Sequence, residues 1–391
     1  MRILPSLLRS LGVAAAGAFL LAGCNQKTAQ AEKTADGLTK IKVGYIGLTC
    51  EAPLYVAKEK GYFTEMGLDA ELVKCEWGQF KDLVGLGTIH VVHQPIMAFL
   101  KPIEEGLDVK LTAGIHRGCL RVQVPVGSNI KTIQDLKGKR IGVPGMGTPP
   151  FIFANRVLGD NGLDPRNDIQ QWKVFPSSEL GLALEKGEVD AIACSEPIGL
   201  LLLSEKKVRN VADQTTDEPY ASEYCCGVIV NGKYADTNPD ATAAVTKAIM
   251  KGAKWVETNP RAAAVMSVEK KYIASNPELN ADALSRLRYI PSIEGGKLAI
   301  RGAAEGMIRA GILKQGTNID DSIKKIYREY PGVNDEWIKS LPVEEVAMGQ
   351  VQPNQSELVQ LELATIGSPT EIKTCCNATK KDKAMAAKTT P

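Results

Sequence analysis

Nine cysteines are the side chains of this 391-residue sequence with the most scope for chemistry. Cys50, Cys119, Cys194 and the adjacent Cys225 and Cys226 fall at the ends of expected strands or at crossovers. Brought together as thiolates, they would hold a soft cation such as Cu(I), Zn(II) or Hg(II), or a thiophilic organometallic ligand. Cys50, Cys119, Cys225 and Cys226 are the candidate metal ligands. Cys-x-x-Cys spacing is absent, so such a site depends on convergence in three dimensions. Two plainer readings stay open: buried free cysteines acting as small hydrophobes, or a disulfide such as Cys50 to Cys119. A ring closed between adjacent Cys225 and Cys226 would be strained. Cys75 reads as structural, and Cys375 and Cys376 fall in the tail without an evident partner.

A second set of residues suits an anion. His116 and Arg117 stand together in Ile115-His-Arg-Gly-Cys119. A guanidinium grips a carboxylate, sulfonate or nitrate through paired N–H bonds, and an imidazole can donate a proton or bind metal. A surface ion pair for Arg117 and a backbone carbonyl for His116 are the alternatives. Gly145-Met-Gly-Thr148 precedes a helix opened by Pro149. There Gly147 lets the backbone come close, Thr148 can cap, and free N–H groups can face an anion; an ordinary strand-to-helix turn is the alternative. Thr49 and Gln94 follow expected strands, where ligands of open α/β sheets bind. Glu196 either accepts hydrogen bonds in a cleft or caps the helix after Pro197. Tyr224 could wall a pocket, although aromatic residues suit a core equally well. Of His90 and His93, at least one is expected to be structural. No histidine neighbours Ser195 and Gly-x-Ser-x-Gly is absent, so nothing supports nucleophilic catalysis.

Alternating strands and helices must position these residues. Strands are predicted at 41–46, 68–74, 89–92, 140–143, 171–175, 189–194 and 228–230. Helices are predicted at 52–60, 150–161, 178–186, 240–258, 280–287 and 300–310. Such a rhythm predicts two α/β blocks with parallel sheets covered on both faces. Residues 25–40 read as a flexible tether, and periodicity is lost in a tail from 346 to 391 that is expected to be disordered in part.

The first 24 residues carry Arg2 and Arg9, an apolar run and Leu21-Ala-Gly-Cys24, the pattern of a bacterial lipoprotein signal. Cys24 would take the lipid and tether the remainder outside the cytoplasmic membrane, on its periplasmic or extracellular face. With 47 basic and 45 acidic residues, nothing points to nucleic acid.

Several segments resemble the substrate-binding proteins of nitrate, sulfonate, taurine and bicarbonate importers. They are Gly44-Tyr-Ile46, Pro53-Leu-Tyr-Val-Ala57, Gly61-Tyr-Phe-Thr-Glu-Met-Gly-Leu-Asp69 and Asp135-Leu-Lys-Gly-Lys-Arg-Ile-Gly-Val-Pro144. Further matches are Leu184 to Ile192, Ser195-Glu-Pro197, Tyr234 to Pro239 and Trp255 to Ala262. The resemblance spans about residues 41–315 and implies a type II periplasmic-binding-protein clamshell. Lobe 1 would comprise 41–120 and 227–345, and lobe 2 would comprise 121–226, with crossovers near 120–126 and 224–228. It also implies a non-enzymatic monomer that captures a small anion between the lobes, without a cofactor, and delivers it to an ABC permease with its ATPase. A thiol-lined binder of a soft metal is the alternative cargo reading. Thiamine-pyrimidine-precursor synthases share this fold and carry a cysteine-rich run where this chain has Tyr224-Cys-Cys-Gly227. Only two of those cysteines remain here, and neither His nor Lys occupies 49–53.

Overall fold

The computed structural model describes residues 31–346; the leader with Cys24, and the tail with Cys375 and Cys376, lie outside them. The strands are β1 (Thr39–Tyr45), β2 (Leu68–Lys74), β3 (Val91–Pro95), β4 (Val109–Arg117), β5 (Leu120–Pro125), β6 (Arg140–Val143), β7 (Gln171–Val174), β8 (Ala191–Ser195), β9 (Val208–Asp213), β10 (Tyr224–Asn231) and β11 (Arg288–Ser292). They form two sheets, in the orders β11-β4-β10-β3-β1-β2 and β7-β6-β8-β5-β9. The fold is α/β with two lobes.

Both sheets are mixed, which corrects the expectation of parallel ones. In the first, β1 runs parallel to β2 and β3, while β10 is antiparallel to its neighbours β3 and β4. In the second, β6 runs parallel to β7 and β8, while β5 is antiparallel to β8 and β9. At the edge of the first sheet β11 is antiparallel to β4 as well. Of these three reversed strands, β5 and β10 are the ones the chain enters directly after changing sheet. The chain leaves the first sheet through Gly118 and Cys119 and returns to it through residues 214–223. Segments 120–126 and 224–228, expected as crossovers, are therefore largely strand. Gly118 has φ +74, the left-handed conformation that lets the chain turn from β4 into β5 within two residues.

The end of the expected tether is docked. Ala31 donates its amide to Asn238 Oδ1, and Lys33 bridges Thr39 at the start of β1.

Helices follow the strands for local reasons. Ala52–Glu59 has a proline in its first turn and ends just before Gly61, whose φ is +72. Pro239–Thr258 buries Val245, Ile249, Ala253 and Val256 against the sheet side and leaves its lysines outward. These two helices pack closely at Gly252, where an added Cβ would sit 2.4 Å from the Pro53 carbonyl oxygen. Backbone cannot move aside as a flexible side chain can. Gly252→Ala is expected to cost about 1–3 kcal/mol through overpacking, read as a lower urea midpoint at unchanged slope.

The lobes touch. Lys81 Nζ donates to the Gly147 carbonyl at 2.9 Å, and Ala283 joins the apolar cluster of Leu180, Leu200 and Leu203.

Candidate functional site

The residues at the sheet-to-sheet passages converge. Cys50 lies in the turn Thr49–Glu51 after β1, Cys119 lies between β4 and β5, and Cys225 and Cys226 open β10. All four are at most 2 % exposed. Donor atoms of Cys119, Cys225 and Cys226 lie within 4.8 Å of one another, and so do those of Cys50, His116 and Cys226. Consecutive strand residues normally point to opposite faces. Here Tyr224 pairs with Arg117 and Cys226 with His116, so Cys225 is an extra residue without a partner in β4. This bulge re-aims its side chain and lets both cysteines serve one cluster. Their Sγ atoms are 3.9 Å apart. The six described cysteines are free thiols, so the Cys50 to Cys119 disulfide of the sequence reading is not formed.

The cluster divides its protons unequally. Hydrogen bonds from Cys225, Cys226 and Cys50 hold the Cys119 thiol well below its ordinary range. The hydrogen bond to Cys119 pushes Cys50 up, while burial followed by the same partner pushes up Cys225. Burial likewise raises Cys226.

His116 is fully buried on β4, and its Nδ1 lies 3.4 Å from the Arg117 carbonyl. A carbonyl only accepts, so this contact puts the proton on Nδ1 and leaves the Nε2 lone pair available. Nε2 has no hydrogen-bond partner. Burial lowers the pKa of the His116 ring. His93, on β3, packs edge-on to His116 at 5.5 Å between ring centroids, and neither of its ring nitrogens is hydrogen bonded. Tyr289 of β11 closes the other side, 5.2 Å from His116 by ring centroid, and its hydroxyl donates to the Cys50 carbonyl at 2.9 Å.

Glu51 fixes the turn that carries Cys50. Its carboxylate accepts from the amides of Ile46, Gly47 and Leu48, from the Tyr55 hydroxyl at 3.0 Å and from Gln94 Nε2 at 2.9 Å. Burial pushes the carboxyl up to about 7, against the downward pull of those amides and Tyr55.

Other expected site residues have different duties. Thr49 donates to Asn280 at 2.7 Å, and Gln94 is engaged by Glu51, although its Oε1 has no partner. Arg117 lies over the Tyr224 ring at 5.3 Å, and the Tyr224 hydroxyl donates to the Ile290 carbonyl. Thr148 does not cap its helix: its hydroxyl donates to the Gly145 carbonyl, because the turn brings that oxygen to 2.6 Å. Gly147 has φ +69, and its carbonyl is held by Lys81. Glu196 makes a buried ion pair with Arg121, and its other oxygen accepts from the Leu200 amide in the first turn of the helix Ile198–Ser204, the capping alternative of the sequence. Cys194 donates to Gln123, and Cys75 donates to the Val73 carbonyl. His90 is the structural histidine, accepting from the Lys42 amide and stacked on Tyr234.

His93, Tyr289 and Glu51 were not among the expected site residues. A period-two count from Val91 puts His93 on one face of β3, but nothing local says that this face meets His116. Tyr289 comes from a strand more than 160 residues after β4, and no spacing rule reaches it.

The NMT1/THI5-like family model matches residues 49–263. YtlA of Bacillus subtilis is 25% identical over 309 residues, covering 71% of this chain and 83% of that protein. The nitrate/nitrite binding protein NrtA of Nostoc is 22% identical, covering 63% of this chain and 64% of NrtA. The chain thus spans just under two thirds of that relative. The pyrimidine phosphate synthase THI5 of Saccharomyces cerevisiae is 26% identical, covering 61% and 70%. The solved periplasmic nitrate-binding protein NrtA of Synechocystis superposes with a TM-score of 0.62 at 17% identity, covering 74% of this chain and 86% of that one. The relatives therefore include both binding proteins and a synthase. With more than half of its length matched, from the turn that carries Cys50 through the helices after β10, this chain belongs to the NMT1/THI5-like family.

Proposed function

We propose that this protein is the solute-binding component of an ABC importer, held outside the cytoplasmic membrane by lipid on Cys24, and that its cargo is a soft metal ion bound by thiolates. It acts without catalysis, by differential affinity between open and closed lobes. The observation that carries the cargo is the convergence of Cys119, Cys225 and Cys226 within 4.8 Å, beside Cys50 and the free Nε2 of His116. Soft donors in a dry site favour a soft cation.

The anion alternative has weaker support. The hydroxyls of Thr49 and Thr148, the amide nitrogen of Gln94 and the carboxylate of Glu196 are all engaged within the protein. Arg117 is spread over Tyr224. The thiol site also suits signalling to a permease. Cys119 lies in one passage between the sheets, and Cys225 and Cys226 directly follow the other. A metal bonded to both ties the passages together and favours one lobe arrangement.

A ligand that binds only the folded state raises the melting temperature as its concentration rises. Anaerobic melts of the full chain in detergent are expected to shift upward with Cu(I) and to stay unchanged with nitrate, taurine or bicarbonate. A shift with one of the anions and none with Cu(I) overturns the metal reading in favour of an anion carrier.

A further inference from the structure

We infer that the thiol site takes two Cu(I) ions, bridged by the Cys226 thiolate. The inference rests on the soft-metal reading above and specifies its stoichiometry. Two compact donor sets are present, Cys119 with Cys225 and Cys226, and Cys50 with His116 and Cys226; Cys226 is the member they share. A thiolate sulfur has lone pairs enough to bond two metals, whereas an imidazole nitrogen has one.

Geometry favours three-coordinate ions. With metal–sulfur bonds of about 2.3 Å, two thiolates on a trigonal ion lie roughly 4.0 Å apart. The Cys225 and Cys226 sulfurs are already 3.9 Å apart. Three-donor sets suit Cu(I), while a structural zinc site requires four ligands around one ion. Spacing within 4.8 Å also leaves no room between Cys119, Cys225 and Cys226 for the inorganic sulfides of an iron–sulfur cluster.

Charge points the same way. Four thiolates around one Cu(I) would leave three uncompensated negative charges in a buried site, or retain protons on sulfurs that then make no metal bond. Two ions reduce the excess to two. As the copper–sulfur bonds form, the thiol protons pass to solvent. Copper remains Cu(I), and nothing is oxidised or reduced.

The test is copper stoichiometry on the full chain in detergent, in a background carrying Cys375→Ser and Cys376→Ser so that the tail pair contributes nothing. Protein loaded anaerobically with the Cu(I) acetonitrile complex is weighed by native mass spectrometry against rising concentrations of a chromophoric Cu(I) chelator. Two ions are expected in the parent, and one in Cys50→Ser and in Cys119→Ser. In Cys226→Ser both are expected to be lost at a chelator concentration where the other variants keep one. X-ray absorption of the loaded parent is expected to show a copper–copper scattering path, a readout that needs no variant to fold. One ion per parent chain without that path overturns the bridged pair and leaves the soft-metal reading standing. No copper at all overturns both.

Discussion

Arg121→Leu is expected to destabilise the protein by about 3–5 kcal/mol, among the largest effects of any single substitution in the second lobe. Arg121 is fully buried, with Nε 2.8 Å from Glu196 and a terminal nitrogen 2.9 Å from Asp213. Both carboxylates are buried too, and burial already raises the Glu196 pKa against the pull of the guanidinium. Arg121 sits on β5 opposite Cys194 of β8 and Asp213 of β9, so it joins three strands two residues after Cys119. Leucine would leave two buried carboxylates without their counter-charge. Pairing is not in itself evidence of stability, since a well-packed apolar replacement of all partners can match it. The double variant Arg121→Leu with Glu196→Gln is therefore expected to recover part of the loss. Urea unfolding separates the cases. A cost below about 1 kcal/mol for Arg121→Leu is what a solvated surface pair gives and contradicts this account.

The same residues explain what was legible in the sequence. β2 and β6 fall at 68–74 and 140–143 as expected, because apolar periodicity and flanking turn residues mark them locally. β4 and β5 were missed. β4 is buried along nearly its whole length, so it has no alternation between faces to read, and its reversed partner β10 arrives from more than 100 residues later. The thiol cluster was half legible. That Cys50, Cys119, Cys225 and Cys226 could meet followed from their placement at strand ends, whereas the bulge at Cys225 depends on pairing with β4 and has no local signature. Glu196 was legible in part: the cap it offers the helix after Pro197 is local and is made to the Leu200 amide, whereas its ion pair with Arg121, 75 residues earlier, is not local. Buried charge pairs are made in tertiary space, and a short motif cannot disclose them.

Glu51→Ala is expected to cost about 4 kcal/mol or more, because five donors lose one acceptor: the amides of Ile46, Gly47 and Leu48, the Tyr55 hydroxyl and the Gln94 amide. The bonds from Leu48, Tyr55 and Gln94 are buried, and those from Ile46 and Gly47 are half-buried. Glu51→Gln is the more informative variant. It keeps one carbonyl oxygen and the side-chain length, but its amide group presents N–H to N–H wherever the second oxygen accepted, so about half of the loss is expected. The consequence for the site follows from position. Glu51 fixes the turn that presents Cys50, and its hydrogen bonds go to Ile46, Gly47, Leu48, Tyr55 and Gln94 rather than to Cys119 or Cys225. Glu51→Gln should therefore release the ion held by Cys50, His116 and Cys226 at a lower chelator concentration than the ion held by Cys119, Cys225 and Cys226. Native mass spectrometry of the loaded variant reads this as accumulation of a one-copper species. Equal loss of both ions would mean that the turn and the passage between β4 and β5 move as one unit. An unchanged urea midpoint together with two retained ions would mean that the carboxylate does not hold the turn in place.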